Sequence, residues 1–146
     1  SHAMSGLGGA FAVIPNDKLR ERFLSESKGL IPDLNILTLT AMEVAYAECD
    51  PWLHKMLTYL EGNRNFLMTN LGELKSIKVT EPEGTYFLWI DFRETGRNHP
   101  SKDLLLKGLE LSDGVHFGGE GFLRMNYACP RSVLGEACGI IKDLFD

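Results

Sequence analysis

Long apolar runs are missing from this chain: nothing in its 146 residues approaches the roughly 20 consecutive apolar positions that cross a bilayer. With no evident signal peptide either, a cytoplasmic protein without a membrane partner is expected. Cysteine is scarce. Cys49, Cys129 and Cys138 are odd in number and lack C-x-x-C spacing, which argues against a disulfide framework and a zinc site and leaves reduced thiols that mostly pack. Positive charge is short as well: 15 Lys and Arg against 20 Asp and Glu give a formal net charge of −5, with no basic stripe to follow a phosphate backbone, so nucleic acid is not an expected partner. His54, His99 and His116 are scattered, with no second ligand at metal spacing, and read as surface or loop residues. G-x-S-x-G, Walker and H-E-x-x-H signatures are all absent.

What is present is 44% hydrophobic, enough for one domain with a real core. Residues 1–4 (SHAM) look like a tag remnant, so His2 carries no function. From Gly6 to Ile14 a glycine-entered apolar run predicts a buried strand, ended by Pro15. Asn16 or Asp17 then caps a short helix reaching Ser25, with Leu19 and Phe23 on its buried side. After a loop over residues 28–34, a helical pattern runs from Asn35 to Glu48 with Leu37, Ala41, Val44 and Ala45 along one face. Asp50-Pro51 restarts a longer helix, whose apolar stripe from Leu53 through Leu60 and Leu67 to Leu71 ends at Gly72.

Ile77 to Thr80 begins a β region, Pro82-Glu83-Gly84 turns, and Thr85 to Phe92 is the strongest strand signal. Tyr86, Leu88, Ile90 and Phe92 share one face of it; Thr85, Phe87, Trp89 and Asp91 share the other. A helix is predicted over 101–111, with Leu104, Leu105, Gly108 and Leu109 on it. A flexible glycine connector follows from Gly114 to Gly121, and a closing helix is marked by Val133, Ala137, Ile140, Ile141, Leu144 and Phe145. The order from residue 73 is strand, strand, helix, strand, helix. The fold class is therefore α/β in the α+β sense: a small antiparallel or mixed sheet with helices on one face, preceded by a long helix.

The strand from Gly121 to Ala128 carries the one chemical oddity. Leu123, Met125 and Tyr127 form an apolar face, yet Arg124 shares the other face with Phe122, Asn126 and Ala128. A guanidinium does not readily shed its charge, so Arg124 must meet water, a carboxylate or an anionic ligand. A structural salt bridge and an anion-binding role both remain open, with Glu120 as a possible partner of Arg124 or Arg131.

Four stretches taken together, VIPNDKLRERF, PWLHKMLTYLEGN, EPEGTYFLWIDFR and GEGFLRMNYACPRSVL, resemble the C-terminal part of fold-type I pyridoxal-phosphate enzymes. The likeness is greatest to the cystathionine β-lyase branch of the class I/II aminotransferase family, and it spans Gly6 to Phe145 in order. The resemblance implies the small domain of a PLP-dependent transferase fold over residues 51–146, with residues 5–50 a residual strand, helix and linker of the large domain. It also implies an amino-acid substrate and, in the full-length enzyme, a homodimer that binds pyridoxal 5′-phosphate. In such enzymes a lysine of the N-terminal cofactor-binding domain holds the cofactor as a Schiff base within an S-K-T-F-N-like motif, and none of the lysines here sits in that context. The chain is therefore expected to be a C-terminal fragment, inactive alone, without a catalytic residue of its own and not binding the cofactor. The family's α-carboxylate arginine maps onto Arg124, and Asn35 matches an asparagine that opens the long helix in relatives, near the subunit interface, and is taken as a cofactor-binding residue. Arg131, in the C-P-R ending, is assigned a structural role at a helix start. A lyase expelling a thiol from Cβ and a transaminase share their first steps, so both outcomes stay open. The alternative to the family is a free-standing α+β ligand-binding or interaction domain with Arg124 as an anion anchor. If the chain is truncated, the Gly6–Ile14 strand and the helix from Asn35 lose partners and invite self-association.

Overall fold

In a computed structural model of the chain, residues 2–146 are described. They form two compact units, one ending at Lys55 and the other running from Met56 to Asp146.

The first unit holds α1 (Asp17–Ser27), α2 (Ile36–Glu48) and the opening turns of α3 (Asp50–Leu71). Its helix starts are set locally. The Asn16 carboxamide accepts from the Leu19 amide at 3.1 Å, and that of Asn35 accepts from the Thr38 amide at 2.9 Å, each satisfying an orphan donor of a first turn. Two expectations fail here. Gly6 to Ile14 is not a strand: Ser5–Leu7 is a 3-10 turn and the residues after it are irregular, because no strand lies beside them to complete a hydrogen-bonded ladder. Helix α1 buries nothing, so Leu19 and Phe23 are exposed. In α2 only Thr38 and Ala45 are buried, whereas Leu37 is 74% exposed.

The second unit contains the core. After α3 come β1 (Lys78–Thr80), β2 (Phe87–Asp91), α4 (Pro100–Leu106), β3 (Ser112–Asp113), β4 (Phe122–Asn126) and α5 (Arg131–Phe145). The strands form one sheet of order β1-β2-β4-β3, antiparallel at every pairing. Alternation works as the sequence demands. Leu88 and Ile90 of β2 and Leu123 and Met125 of β4 point into a single cluster with Leu60, Leu67 and Leu71 of α3, Leu104 of α4, and Leu134, Ile141 and Phe145 of α5. Truncating any one of these leucines to alanine would cost about 2–5 kcal/mol. The opposite sheet face, with Phe87, Trp89, Phe122 and Arg124, is only half buried.

Two segments differ from expectation for local reasons. Helix α4 stops at Leu106 rather than near Leu111. Gly108, at φ 86°, takes the left-handed conformation just past the helix end, its amide donating to Leu105 O and that of Leu109 to Leu104 O, which makes a Schellman closure. The glycine-rich connector is likewise an ordered 3-10 turn, Gly114–Phe117, closed by Gly118 N–H to Val115 O and Gly119 N–H to Gly114 O. No helix among the described residues is long and apolar enough to cross a membrane.

Candidate functional site

Arg124 sits at the middle of β4, an interior strand, with Trp89 of β2 opposite it on one side and Ser112 of β3 on the other. Its backbone is anchored by Leu123, Met125 and Tyr127, each no more than 3% exposed on the core side. The side chain stays on the half-buried face. There its guanidinium carbon lies 4.3 Å from the centroid of the Phe87 ring and 4.4 Å from that of Phe117. Nη2 donates to Ser112 Oγ at 3.3 Å.

No carboxylate pairs with it. Among the described residues Arg124 makes no ion pair, and Glu120 pairs with neither Arg124 nor Arg131, so the salt-bridge reading of this strand is not realised. Both acidic residues on the flanking strands are engaged elsewhere. Asp91 binds Arg93 through two side-chain hydrogen bonds of 2.9 and 2.8 Å and accepts from its amide at 3.0 Å. Those hydrogen bonds from Arg93 hold the Asp91 carboxyl below its ordinary value. Asp113 accepts from Val115 N–H and from Ser101 Oγ, each at 3.1 Å, capping the turn that carries Phe117. A cationic fork with in-plane donors to spare, on a sheet face whose carboxylate, Asp91, is already taken by Arg93, is suited to a ligand carboxylate.

The chain beyond β4 is held by α3. Asn63, fully buried, donates to the carbonyls of Tyr127 and Cys129 at 2.9 Å each and accepts from Arg131 Nε at 2.8 Å. Tyr59 Oη accepts from the Arg131 amide at 3.0 Å, and the Arg131 guanidinium lies 4.9 Å from the Phe66 ring centroid. Arg131 is thus tied to one helical stripe of α3, in keeping with a structural role. The Tyr127 hydroxyl, whose pKa burial raises, donates to Thr85 O at 3.0 Å. Thr85 has φ of 67°, an uncommon conformation for a β-branched residue. Burial also raises the Cys129 and Cys138 thiols, which disfavours a thiolate at either.

Asn35 lies in the other unit, exposed, as the cap of α2. His54, His99 and His116 are all exposed, and among the described residues no cluster of three or more His, Cys, Asp or Glu could hold a metal ion. Three site residues went unnoticed in the sequence: Phe117, Ser112 and Asn63. Asn63 had a faint signal, a carboxamide inside a leucine stripe. Phe117 stood alone between glycines, with no periodicity to mark it.

Comparison with known proteins bears on this arrangement. The family model described as aminotransferase class I and II matches residues 1–141. Over 149 aligned positions the chain is 34% identical to cystathionine beta-lyase PatB of Bacillus subtilis, covering 95% of this chain and 38% of that protein. The crystal structure of OvoB superposes with a TM-score of 0.92 at 37% identity, covering 97% of this chain and 38% of that one. Cystalysin from Treponema denticola, whose crystal structure contains a pyridoxal 5′-phosphate cofactor, gives a TM-score of 0.84 at 30% identity over 97% of this chain and 38% of its own. The chain therefore spans well under half the length of these relatives.

Proposed function

The chain belongs to the class I and II aminotransferase family, and on that footing we propose that it supplies the substrate-carboxylate site of a pyridoxal-phosphate-dependent carbon–sulfur β-lyase, or of an aminotransferase. The observation that carries this is Arg124: an arginine fixed at mid-strand, with no carboxylate partner and with donors free in the plane of its fork. Two parallel N–H···O bonds from that fork would hold an amino acid by its α-carboxylate and set the direction of its Cα–H bond for cleavage. When bound, the cofactor supplies the electron sink for that cleavage.

No lysine of this chain is placed to hold the cofactor covalently. Seven of the eight lysines are exposed, and the eighth, Lys142, donates to Asn70 Oδ1 at 3.1 Å, so none is a buried amine poised for a covalent link. The cofactor-linking lysine of the family, and the N-terminal domain bearing it, belong in this proposal to a larger enzyme, in which residues 51–146 form the small domain and residues 5–50 join it to the large one. A homodimer is the proposed working state. Asn35 is retained as a cofactor-side residue on the strength of the family likeness alone, since its side-chain oxygen is already used at Thr38.

The test is Arg124→Ala in the complete enzyme. Loss of two charge-assisted hydrogen bonds should raise KM and slow turnover, lowering kcat/KM for an amino-acid substrate by on the order of 100-fold or more. Unchanged kinetics would overturn the assignment. A complementary measurement uses the 146-residue chain itself. With stoichiometric added cofactor, borohydride should trap only scattered, weak labelling of exposed lysines and no full-occupancy adduct at one lysine, and cystathionine should not be turned over; a single-site adduct or turnover would show that the lysine is not external.

A further inference from the structure

We infer that Phe87 and Phe117 are positioning residues for Arg124, clamping its guanidinium by the two ring faces so that its edge is presented, already oriented, to the substrate carboxylate; this rests on the function proposed above.

An arginine side chain has many rotamers, and a bidentate hold on a carboxylate requires one plane among them. Proteins often fix that plane with a carboxylate, as Asp91 does for Arg93. At Arg124 such a partner would occupy the donors the substrate needs. Aromatic rings solve this differently, because they bind a guanidinium over its face and leave the in-plane N–H groups unoccupied. The rings come from opposite sides of β4: Phe87 from β2, Phe117 from the turn after β3. Ser112 takes only a long 3.3 Å bond from Nη2.

Phe117 is itself braced. Its ring meets Trp89 edge-on at 6.1 Å and 82°, Trp89 stacks on Phe122 at 5.4 Å and 12°, and Arg93 covers Phe122 at 4.6 Å. The backbone beneath is equally tight. A Cβ on Gly114 would overlap the carbonyl oxygens of Gly119 and Phe122, and one on Gly119 would come within 2.6 Å of the Trp89 ring, so the turn closes only with glycine there. Yet Phe117 remains 51% exposed and is not part of the core cluster. A half-exposed phenylalanine held against a cation, at the end of a chain of stacked groups, adds little to the core and much to the orientation of that cation.

The experiment compares wild type, Phe117→Leu, Phe87→Leu, Phe117→Tyr and Arg124→Ala. In the complete enzyme, KM is measured for an amino-acid substrate and the inhibition constant for its decarboxylated amine analogue. Each leucine variant should raise KM by about three- to tenfold, as expected for losing one ring face, with kcat changed much less and the amine constant unchanged, while Phe117→Tyr should restore KM. In the 146-residue chain, NMR of the Arg124 Nε–H should show a ring-current upfield shift that each leucine variant diminishes, with backbone spectra otherwise preserved. If Arg124→Ala raises KM but the leucine variants leave KM unmoved, whatever the NMR shift does, the positioning role is wrong and the carboxylate assignment survives. A leucine variant that weakens the amine analogue as much as the substrate would mark a merely structural role. If Arg124→Ala leaves KM unmoved, the carboxylate assignment itself fails.

Discussion

Arg93 and Arg124 lie against the same aromatic sheet face, Arg93 over Phe122 and Arg124 over Phe87 and Phe117, yet only Arg93 has a carboxylate. Asp91 takes part in that pair from a position 9% exposed and is held below its ordinary value of 3.8 by the Arg93 hydrogen bonds. A carboxyl depressed in the folded state adds stability that is complete above its unfolded value of about 3.9 and fades as pH falls through the lower folded one. Asp91→Asn should therefore lower Tm at pH 7, and the gap from wild type should narrow as the pH falls below the unfolded value of about 3.9 and through the lower folded one. A gap that persists at low pH would locate the effect in packing instead. Arg124 was legible in the sequence because a charge at an alternating position of an apolar strand stands out. That Asp91 would serve Arg93 and leave Arg124 unpaired was not legible, since it depends on which way two side chains turn.

Helix α3 shows what element-level patterns capture and what they miss. Its limits followed from Asp50-Pro51 at the start and Gly72 at the end, and its leucines from helical spacing. The cap of α1 and the two faces of β2 and β4 were readable for the same reason: each depends on residues within a turn or a pleat. The second use of α3 was hidden, since Tyr59, Asn63 and Phe66 meet Arg131, which lies 72, 68 and 65 positions further along the chain. Asn63→Ala would leave the buried Tyr127 carbonyl, the partly buried Cys129 carbonyl and the Arg131 guanidinium short of partners. A loss of about 2–4 kcal/mol in urea unfolding is expected, with little change in m-value. Leu60→Ala on the same helix is the reference for a pure cavity cost. The shortened α4 illustrates the reverse error. Gly108 was counted as a helical residue when its φ of 86° ends the helix.

At the scale of the whole molecule, apolar content is unevenly used. Every member of the core cluster lies at or beyond Leu60, while in the first unit Phe11, Leu30, Ile36 and Leu37 are each more than 60% exposed. Composition forecast a single good core but could not say which stretch would own it, because the run from Gly6 to Ile14 forms a strand only if a neighbouring strand pairs with it. Hydrogen exchange should accordingly separate the units: amides of β2, β4 and α5 protected to near the global limit, those of α1 and α2 exchanging by local opening. Limited proteolysis should cut first between residues 15 and 50 and leave a product that retains Met56–Asp146. Equal protection in α2 and α5 would contradict this. The strand order adds a consequence for motion. Because β4 is flanked on both sides, Arg124 cannot be re-aimed by a loop swinging on the nanosecond timescale; its backbone shifts only when β2 and β3 shift too. Fast adjustment is left to the side chain between its two rings, and any slower repositioning must move the sheet as one body.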